Sequence, residues 1–483
     1  MSKVSENLKS GIIYTALARY SSIFFSIIIS AVLARLLSPE EFGTVAIIMV
    51  FISFFNLLSN FGIGPAIIQN KSLTNEDIES IFLFSIIIGF FLSAVFYFSS
   101  ALISDFYKKE ELENLSKLMS LIVLLQAIRI VPNALIRKNL QFKQLGIIEV
   151  VVQVIGGIVA IVLAYYGFSY YAIIINSILT GFLIFVIFYK MEPIRFTYRL
   201  NLESINKILK FSSFQFFFNF INYFSRNLDN LLIGKYFNSE ALGFYDRAYK
   251  LMLMPVQNLT HVITPVLHPI LAEYNNEKKV IYDTYYKIVK FLSLIGFPLS
   301  VFLFYNAAEI IYIMYGNQWG ESIPVFRLLA LTVGIQIVLS SSGSIFQATD
   351  RTDLLFYSGL IGSILMISGI SYGVFIGKNL ESVGFGIIIA FILNFLQGFY
   401  LLINKSLGYN FFKFLLIFTR PLLLSIILGI VLWSVSFIKL ENYIYSFVIK
   451  IFVSIVVFLS TVFTLKSEKD LLINYFNRLF RNK

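Results

Sequence analysis

The sequence predicts an all-α integral membrane protein with about fourteen transmembrane helices. Of its 483 residues, 58% are hydrophobic and only 13% are charged, whereas a soluble domain carries about 25% charged residues. The apolar residues form long continuous runs with short polar connections, and about 20 such residues suffice for a helix to cross a bilayer. Because no soluble core of this chain length could bury so much apolar surface, we expect lipid to surround most of the helices.

The fourteen predicted spans follow the apolar runs in chain order. They are 11–36, 42–66, 79–104, 116–136, 145–167, 169–189, 211–234, 242–267, 288–313, 323–346, 354–376, 382–404, 412–437 and 443–465. A large soluble helical protein is disfavoured because the runs lack polar faces wide enough to meet water. A β-barrel is disfavoured because its strands are about ten residues of alternating polarity. The first run is too long for a cleaved signal peptide and lacks a small-residue cleavage site, so we expect it to be a retained helix.

Composition also excludes several kinds of chemistry. The chain has no cysteine, so disulfides and thiolate-based catalytic or zinc sites are excluded. Its two histidines, His261 and His268, are too few for a histidine-based metal centre, and we expect no metal and no cofactor. The sequence has no Walker-type phosphate loop. The net charge of +11 is typical of cytoplasmic loops in membrane proteins, so we expect no nucleic-acid partner.

The distribution of lysine and arginine predicts the orientation of the chain. With the N-terminus inside, the connections on the outer side contain few basic residues, namely Arg35, Lys108, Lys109, Lys117, Lys235, Lys378 and Lys439. The opposite connections and the C-terminal tail contain most of the others. Positive charge is enriched in cytoplasmic loops, so both termini are predicted to be cytoplasmic.

An internal repeat relates two halves of the chain. Residues 35–43 read RLLSPEEFG and residues 235–243 read KYFNSEALG, so a base, an acid, an apolar residue and a glycine recur in register. In each copy, Ser38 or its counterparts Asn238 and Ser239 can cap the helix that follows. Six helices separate the copies, so both halves have the same orientation, and we expect an axis along the membrane normal to relate them.

The repeat predicts the domain organisation. We expect an N-terminal six-helix bundle at 1–200 and a C-terminal six-helix bundle at 201–404. The remaining residues, 405–483, contain helices 13 and 14 and a cytoplasmic tail, outside the repeat. Parallel repeats of this kind enclose a transport site at their interface and rock about it.

Charged residues inside predicted helices are the candidate site residues, because an arginine at the bilayer centre costs at least about 2.5–3.5 kcal/mol. Arg19 lies about a third of the way into helix 1, where an anion site and snorkelling to the headgroups both remain open. Helix 8 begins with Asp246, Arg247 and Lys250. Asp246 and Lys250 are four residues apart and can pair, whereas Arg247 has no obvious local partner, so cavity lining and interfacial anchoring both remain open.

Helix 7 has the most polar sequence of the set. Asn219, Asn222 and Arg226 lie on one stripe of the helix, which is typical of a wall facing water. Arg226 can pair with Asp229 three residues later, either as a packing pair or as an anion-binding arginine beside a titrating acid. By contrast, Arg129, just before Pro132 in helix 4, is predicted to have a structural role at a kink.

Several motifs make the chain resemble a known family. They are ARLLSPEEFG at 34–43, NFG at 60–62, AIIQ at 66–69, DNLLIGK at 229–235, LGFY at 242–245, Ala248, Tyr249 and Pro255, with Ile136, Arg137 and Phe142 after helix 4. Their order and spacing resemble the polysaccharide-exporter branch of the multidrug/oligosaccharidyl-lipid/polysaccharide superfamily, the Wzx-type flippases of lipid-linked oligosaccharides. Fourteen helices fit that family.

The resemblance implies a function and a cavity. It implies movement of undecaprenyl-pyrophosphate-linked sugar units from the inner to the outer leaflet of a bacterial cytoplasmic (inner) membrane, for O-antigen, capsule or exopolysaccharide synthesis. It also implies a V-shaped pair of bundles around a cationic cavity formed by helices 1, 2, 7 and 8, which here carry Arg19, Arg226 and Arg247. The implied partners are the lipid-linked oligosaccharide, membrane lipids, a proton or sodium ion, and a polysaccharide polymerase with other assembly proteins.

Two other functions remain open from the sequence. The first is a cation-coupled multidrug antiporter of the same superfamily, for which Asp229 is the one good deep acid. The second is an enzyme, such as a membrane polymerase or ligase of lipid-linked sugars. No large external loop carries the paired acids that acid–base catalysis would need, so we expect a transporter and not an enzyme.

Overall fold

The protein is described from a computed structural model. The structure describes residues 2–60, 62–70, 72–198, 200–205, 223, 227–275, 277–438 and 442–464, with only the backbone of 2–13, 261–266 and 268–270. It divides into two compact units, residues 1–243 and 244–483. The predicted domain boundaries at 200 and 404 stay predictions.

The first unit is a bundle of helices with short connections. Its helices are α1 (Ser2–Leu36), α2 (Pro39–Asn60), α3 (Ile63–Gln69), α4 (Asn75–Phe98), α5 (Ser100–Tyr107), α6 (Glu111–Ile128), α7 (Ile130–Lys138), α8 (Phe142–Tyr165) and α9 (Tyr171–Met191). Residues 227–236 are also helical. The next helix, α10 (Ser239–Ala272), begins in the first unit and continues into the second.

In the described residues of the second unit, every secondary-structure element is a helix. It contains α11 (Lys278–Tyr305), α12 (Ala307–Tyr315), α13 (Ser322–Ala330), α14 (Val333–Leu339), α15 (Ser342–Ala348), α16 (Thr352–Ser371), α17 (Leu380–Phe399), α18 (Phe411–Leu415), α19 (Thr419–Ser436) and α20 (Tyr443–Thr464). Short 3₁₀ turns lie at Asn317–Trp319 and Leu416–Phe418, and π-helical turns extend α16 and α17 at Tyr372–Gly377 and Tyr400–Ser406.

The multi-pass membrane prediction is confirmed, although the count of fourteen is not. Twelve helical stretches of the described residues are long and apolar enough to cross a membrane, and each coincides with one predicted span. The two remaining predictions are 211–234, most of which lies outside the described residues, and 242–267, which lies within α10. That helix has ample length, with 34 residues, but it carries the charged cluster at its start.

The polar residues of the repeat end one helix and begin the next, as predicted. The Ser38 hydroxyl accepts a hydrogen bond from the Glu41 amide at 3.3 Å, and the Glu41 carboxylate accepts one from the Ser38 amide at 2.6 Å, so α2 begins with a capping box. In the second copy, the Asn238 side chain accepts from the Ala241 amide at 2.6 Å. Asn238, and not Ser239, therefore caps α10.

Two transmembrane segments of the first unit are interrupted. The segment of α2 and α3 breaks near Gly62, whose φ of 73° requires the left-handed region that glycine adopts readily. The segment of α6 and α7 breaks at Arg129, three residues before Pro132, which has no N–H to continue the helical hydrogen bonds. The short helices α3 and α7 that follow the breaks pack against each other.

Helices α19 and α20, which correspond to predicted helices 13 and 14, pack onto the second unit. Leu424 of α19 and Val462 of α20 form a buried cluster with Leu294 of α11. The two helices therefore share a core with α11, although they lie outside the sequence repeat.

Candidate functional site

Arg19 presents an exposed side chain on α1. The neighbouring residue Ala18 faces α8 instead, where a Cβ added to Gly146 would lie 2.5 Å from the Ala18 Cβ. Gln153 of α8 donates a hydrogen bond to the Ser22 carbonyl at 3.0 Å, which fixes the same face. Within the described part of the chain, Arg19 makes no ion pair within 4 Å. The helix therefore presents an exposed cation beside the face that packs against α8.

The helix 7 stripe is described only in part. Asn219, Asn222 and Arg226 lie outside the described residues, so their role stays a prediction. Asp229 belongs to the helical residues 227–236 and is 5% exposed. Its Oδ1 accepts a hydrogen bond from the Asn230 amide at 2.8 Å. The acid is thus buried inside the first unit.

The charged cluster of α10 is more tightly paired than the sequence predicted. Lys250 Nζ lies 2.8 Å from Asp246 Oδ2, as expected, but Arg247 Nη2 also lies 2.8 Å from the same oxygen. The prediction that Arg247 lacks a local partner is therefore wrong. The side chain of Asp246 is only 6% exposed, and a buried carboxylate without a cationic partner would be strongly destabilising. Two cations therefore share this one acid.

The two copies of the repeat meet in the first unit, at what we call the glycine contact, residues 39–43 and 239–243. A Cβ at Gly43 would lie 1.6 Å from the Ser239 carbonyl oxygen, and one at Gly243 would lie 1.9 Å from the Pro39 carbonyl oxygen. Positions 39 and 43 correspond to 239 and 243 in the repeat, so the contact is reciprocal, as across a two-fold axis. Only glycine allows the starts of α2 and α10 to approach this closely.

Two lysines hold the residues around the glycine contact. Lys109 Nζ contacts Glu40 Oε1 at 2.7 Å, Thr44 Oγ1 at 2.9 Å and Ser239 Oγ at 3.1 Å, and so bridges the two copies. Lys235 donates to the Phe106 carbonyl and lies 4.1 Å from the centre of the Phe106 ring. Burial raises the pKa of Tyr107, so its hydroxyl stays protonated. Lys235, the basic residue of the second copy, and Lys109 therefore have structural roles at this end.

A cavity of about 340 Å³ lies between the two interrupted segments of the first unit. We call it the arginine pocket. Its polar lining comprises Asn56, Ser59, Asn60, Gln126, Arg129, Asn133 and Arg137. From the sequence, Arg129 was predicted to have only a structural role. Gly62 and Pro132 are the residues in the sequence that could have indicated this pocket, because each lies at a helix break and interrupted membrane helices line cavities in transporters.

A buried ion pair in the second unit was also missed. Lys450 of α20 and Glu309 of α12 are each 7% exposed, and Lys450 Nζ donates to Glu309 Oε1. The same oxygen accepts from Ser446 Oγ at 2.7 Å, and Lys450 also donates to the Tyr305 carbonyl at 3.1 Å. The pair is separated by 141 residues in sequence, so no local pattern could reveal it.

Metal ligation finds no support in the described residues. No group of three or more histidine, cysteine, aspartate or glutamate side chains is placed there to hold an ion. The side chains of His261 and His268 lie outside that description.

Comparison with known proteins identifies the family. Residues 32–324 match the polysaccharide biosynthesis protein family, which is more than half of the chain. The chain belongs to this family. The chain is 25% identical to the teichuronic acid biosynthesis protein TuaB of Bacillus subtilis, over 90% of each chain. It is also 25% identical to the lipopolysaccharide biosynthesis protein WzxC of Escherichia coli, over 87% of this chain and 86% of the other.

Solved structures give the fold of this family member. The structure is similar to the lipid II flippase MurJ in an inward closed conformation, with a TM-score of 0.75, 16% identity, and coverage of 95% of this chain and 100% of that chain. An inward-facing MATE multidrug transporter gives a TM-score of 0.59 at 17% identity, over 77% of this chain and 93% of the other. The predicted relationship to the polysaccharide-exporter branch of the superfamily is confirmed, and the protein has the polytopic helical fold of these transporters.

Proposed function

We propose that this protein is a flippase that moves an undecaprenyl-pyrophosphate-linked oligosaccharide from the inner to the outer leaflet by alternating access. The observation that carries the proposal is the match of residues 32–324 to the polysaccharide biosynthesis protein family, in a chain whose described residues include twelve candidate membrane spans. The succinoglycan biosynthesis transport protein ExoT of Rhizobium meliloti, 21% identical over 83% of this chain, supports transport over catalysis.

In this proposal, arginines bind the anionic head while the lipid tail stays in the bilayer. Arg19 offers an exposed guanidinium on α1, and the cluster of Asp246, Arg247 and Lys250 places two cations beside one acid. Guanidinium groups form charge-assisted, often bidentate hydrogen bonds with phosphate oxygens. Arg226 is the third proposed ligand, with Asn219 and Asn222 as the polar wall beside it. Asp229 is the candidate for coupling to a proton or sodium ion.

The glycine contact supports a closed outer gate. Its backbones approach so closely that nothing passes between α2 and α10 at this point, and the Lys109 contacts hold it. We propose that it lies on the outer side of the cytoplasmic membrane, with both termini in the cytoplasm. Opening of this gate would then require both halves of the reciprocal contact to separate at once. Such a separation is expected if two parallel repeats rock against each other.

The direct test is loss of the protein in its own host. Depletion should cause lipid-linked oligosaccharide to accumulate facing the cytoplasm, while polysaccharide export stops. Normal export would contradict the proposal. Accumulation of unpolymerised units on the outer leaflet would indicate a polymerase or ligase. Loss of drug efflux with normal export would indicate the antiporter.

The arginine role has its own test in Arg226→Ala and Arg19→Ala. Each should lower export at least about tenfold, because a hydrogen bond to a charged group is worth about 1.5–3 kcal/mol. Arg226→Lys should keep part of the activity, since it retains charge but loses the planar fork. Lys413→Ala, at an exposed position, is the control. Wild-type export by Arg226→Ala, at normal protein level in the membrane, would show that Arg226 does not bind the anion.

A further inference from the structure

The arginine pocket is built by the two interrupted segments of the first unit. Backbone groups freed by a helix break are tolerated at membrane depth only where they are covered by protein or line a polar cavity. Here both breaks border one cavity, since Asn60 and Gly64 flank the first break, and Arg129 and Ile130 form the second. The interruptions therefore indicate a place where the fold keeps polar groups available inside the bundle.

The charges of this pocket are only partly neutralised by its neighbours. Arg129 is half-buried, and within the described residues it makes no ion pair within 4 Å. Arg137 lies 3.8 Å from Glu149 Oε1, too far for a hydrogen bond, and its Nε donates instead to Asn133 at 3.1 Å. Two arginines and one glutamate leave the pocket cationic.

Polar side chains in the same pocket have unused hydrogen-bonding capacity. Asn56 makes no hydrogen bond to any described residue, so the N–H groups of its side-chain amide are available as donors. Gln126 and Asn133 add further amide groups to the lining. Amide and guanidinium N–H groups are the donors that phosphate oxygens accept from. Leaving such groups inside a bundle without partners costs free energy, which a bound anion would offset.

We propose that the arginine pocket binds the phosphate or pyrophosphate group of a membrane lipid, with Arg129 and Arg137 as its cationic ligands. The choice of the polyprenyl pyrophosphate substrate as that lipid rests on the proposed function. A cavity of about 340 Å³ is at the small end of ligand sites, which suits a headgroup and not a whole oligosaccharide. Arg137 ends α7 just before a connection predicted to be cytoplasmic, so the pocket would receive the head on the side where synthesis occurs.

The test is binding by the full-length protein in nanodiscs of phosphatidylcholine. Three probes are titrated, namely undecaprenyl pyrophosphate, phosphatidylglycerol and inorganic pyrophosphate as a competitor. R129Q and R137Q should each weaken undecaprenyl pyrophosphate binding about tenfold, and R129K should recover part of it. K190Q, an exposed base at the end of α9, should bind as wild type does. Thermal melting of each variant verifies folding, and the exposed R137Q carries the test if R129Q does not fold.

The outcomes separate this inference from the proposed function. If R129Q and R137Q weaken phosphatidylglycerol binding as much as undecaprenyl pyrophosphate binding, the pocket binds anionic lipid headgroups in general. If they leave the affinity for phosphatidylglycerol unchanged, the pocket is specific for the polyprenyl substrate. Wild-type affinity of folded R129Q and R137Q for both lipids would overturn the pocket, even if depletion of the protein still causes lipid-linked precursor to accumulate. Normal export without the protein would refute the flippase function. The phosphatidylglycerol titration would still show whether the arginine pocket binds a lipid headgroup.

Discussion

The arginine pocket of the first unit and the Glu309–Lys450 pair of the second show two ways of keeping charge inside a membrane bundle. In the second unit, Glu309 receives hydrogen bonds from Lys450 and Ser446 and is closed off from solvent. In the first unit, Arg129 and Arg137 line an open cavity in which cations outnumber acids. Charges that pair with each other hold helices together, whereas charges left facing a cavity are available to a ligand.

The two regions should lie on opposite sides of the membrane. The native chain has no cysteine, so a single introduced cysteine reports accessibility directly. Gln144→Cys, just beyond Arg137, should react only with reagent on the cytoplasmic side, and Ile438→Cys, near the start of α20, only with reagent outside. The expected effect is all-or-none. Labelling of Gln144→Cys from outside alone would reverse the orientation on which the pocket's proposed role depends.

Removing one partner of the Glu309–Lys450 pair should lower stability more than any other substitution proposed here. Lys450→Met leaves Glu309 charged and buried, which costs about 3–5 kcal/mol, and we expect a large drop in melting temperature in detergent. Lys450→Met combined with Glu309→Gln should recover much of it, because no lone charge remains. Lys413→Met is the exposed control.

The same melting experiment sharpens the comparison with the pocket. Arg129→Gln should melt close to wild type, because no ion pair is broken. A loss as large as that of Lys450→Met would mean that Arg129 is a structural residue, and the contrast between the two regions would disappear.

The glycine contact should respond less strongly than the ion pair. Gly43→Ala places a methyl group where the Ser239 carbonyl now lies, and overpacking of this kind costs about 1–3 kcal/mol. We expect a lower melting temperature and a slower export rate. Gly359→Ala is the matched control, since a Cβ there meets no atom within 4 Å. Equal behaviour of the two variants would show that the glycine contact is not a close-packed gate.

Local pattern was sufficient for the helices and their ends. The predicted spans 145–167 and 169–189 are divided at Gly167, and the φ of 82° at that glycine is typical of a turn between α8 and α9. The capping roles of Ser38 and Asn238 were also predictable, because a cap depends on residues three or four positions away. Arg247 was mispredicted because helical spacing says which residues share a face, whereas a long side chain can still fold back onto its neighbour Asp246.

The sequence by itself determined the membrane class, the positions of most spans, the repeat and the family, because these depend on hydropathy, on short-range hydrogen bonds and on motif order. Tertiary structure decided which charges have partners. Lys450 and Glu309 come into contact only when α20 packs against α12. Arg129 faces a cavity only because the breaks in two transmembrane segments, at Gly62 and at Arg129, lie next to each other in space. Electrostatic free energy inside a bundle depends on distance in space and on burial, and neither can be derived from the order of residues alone.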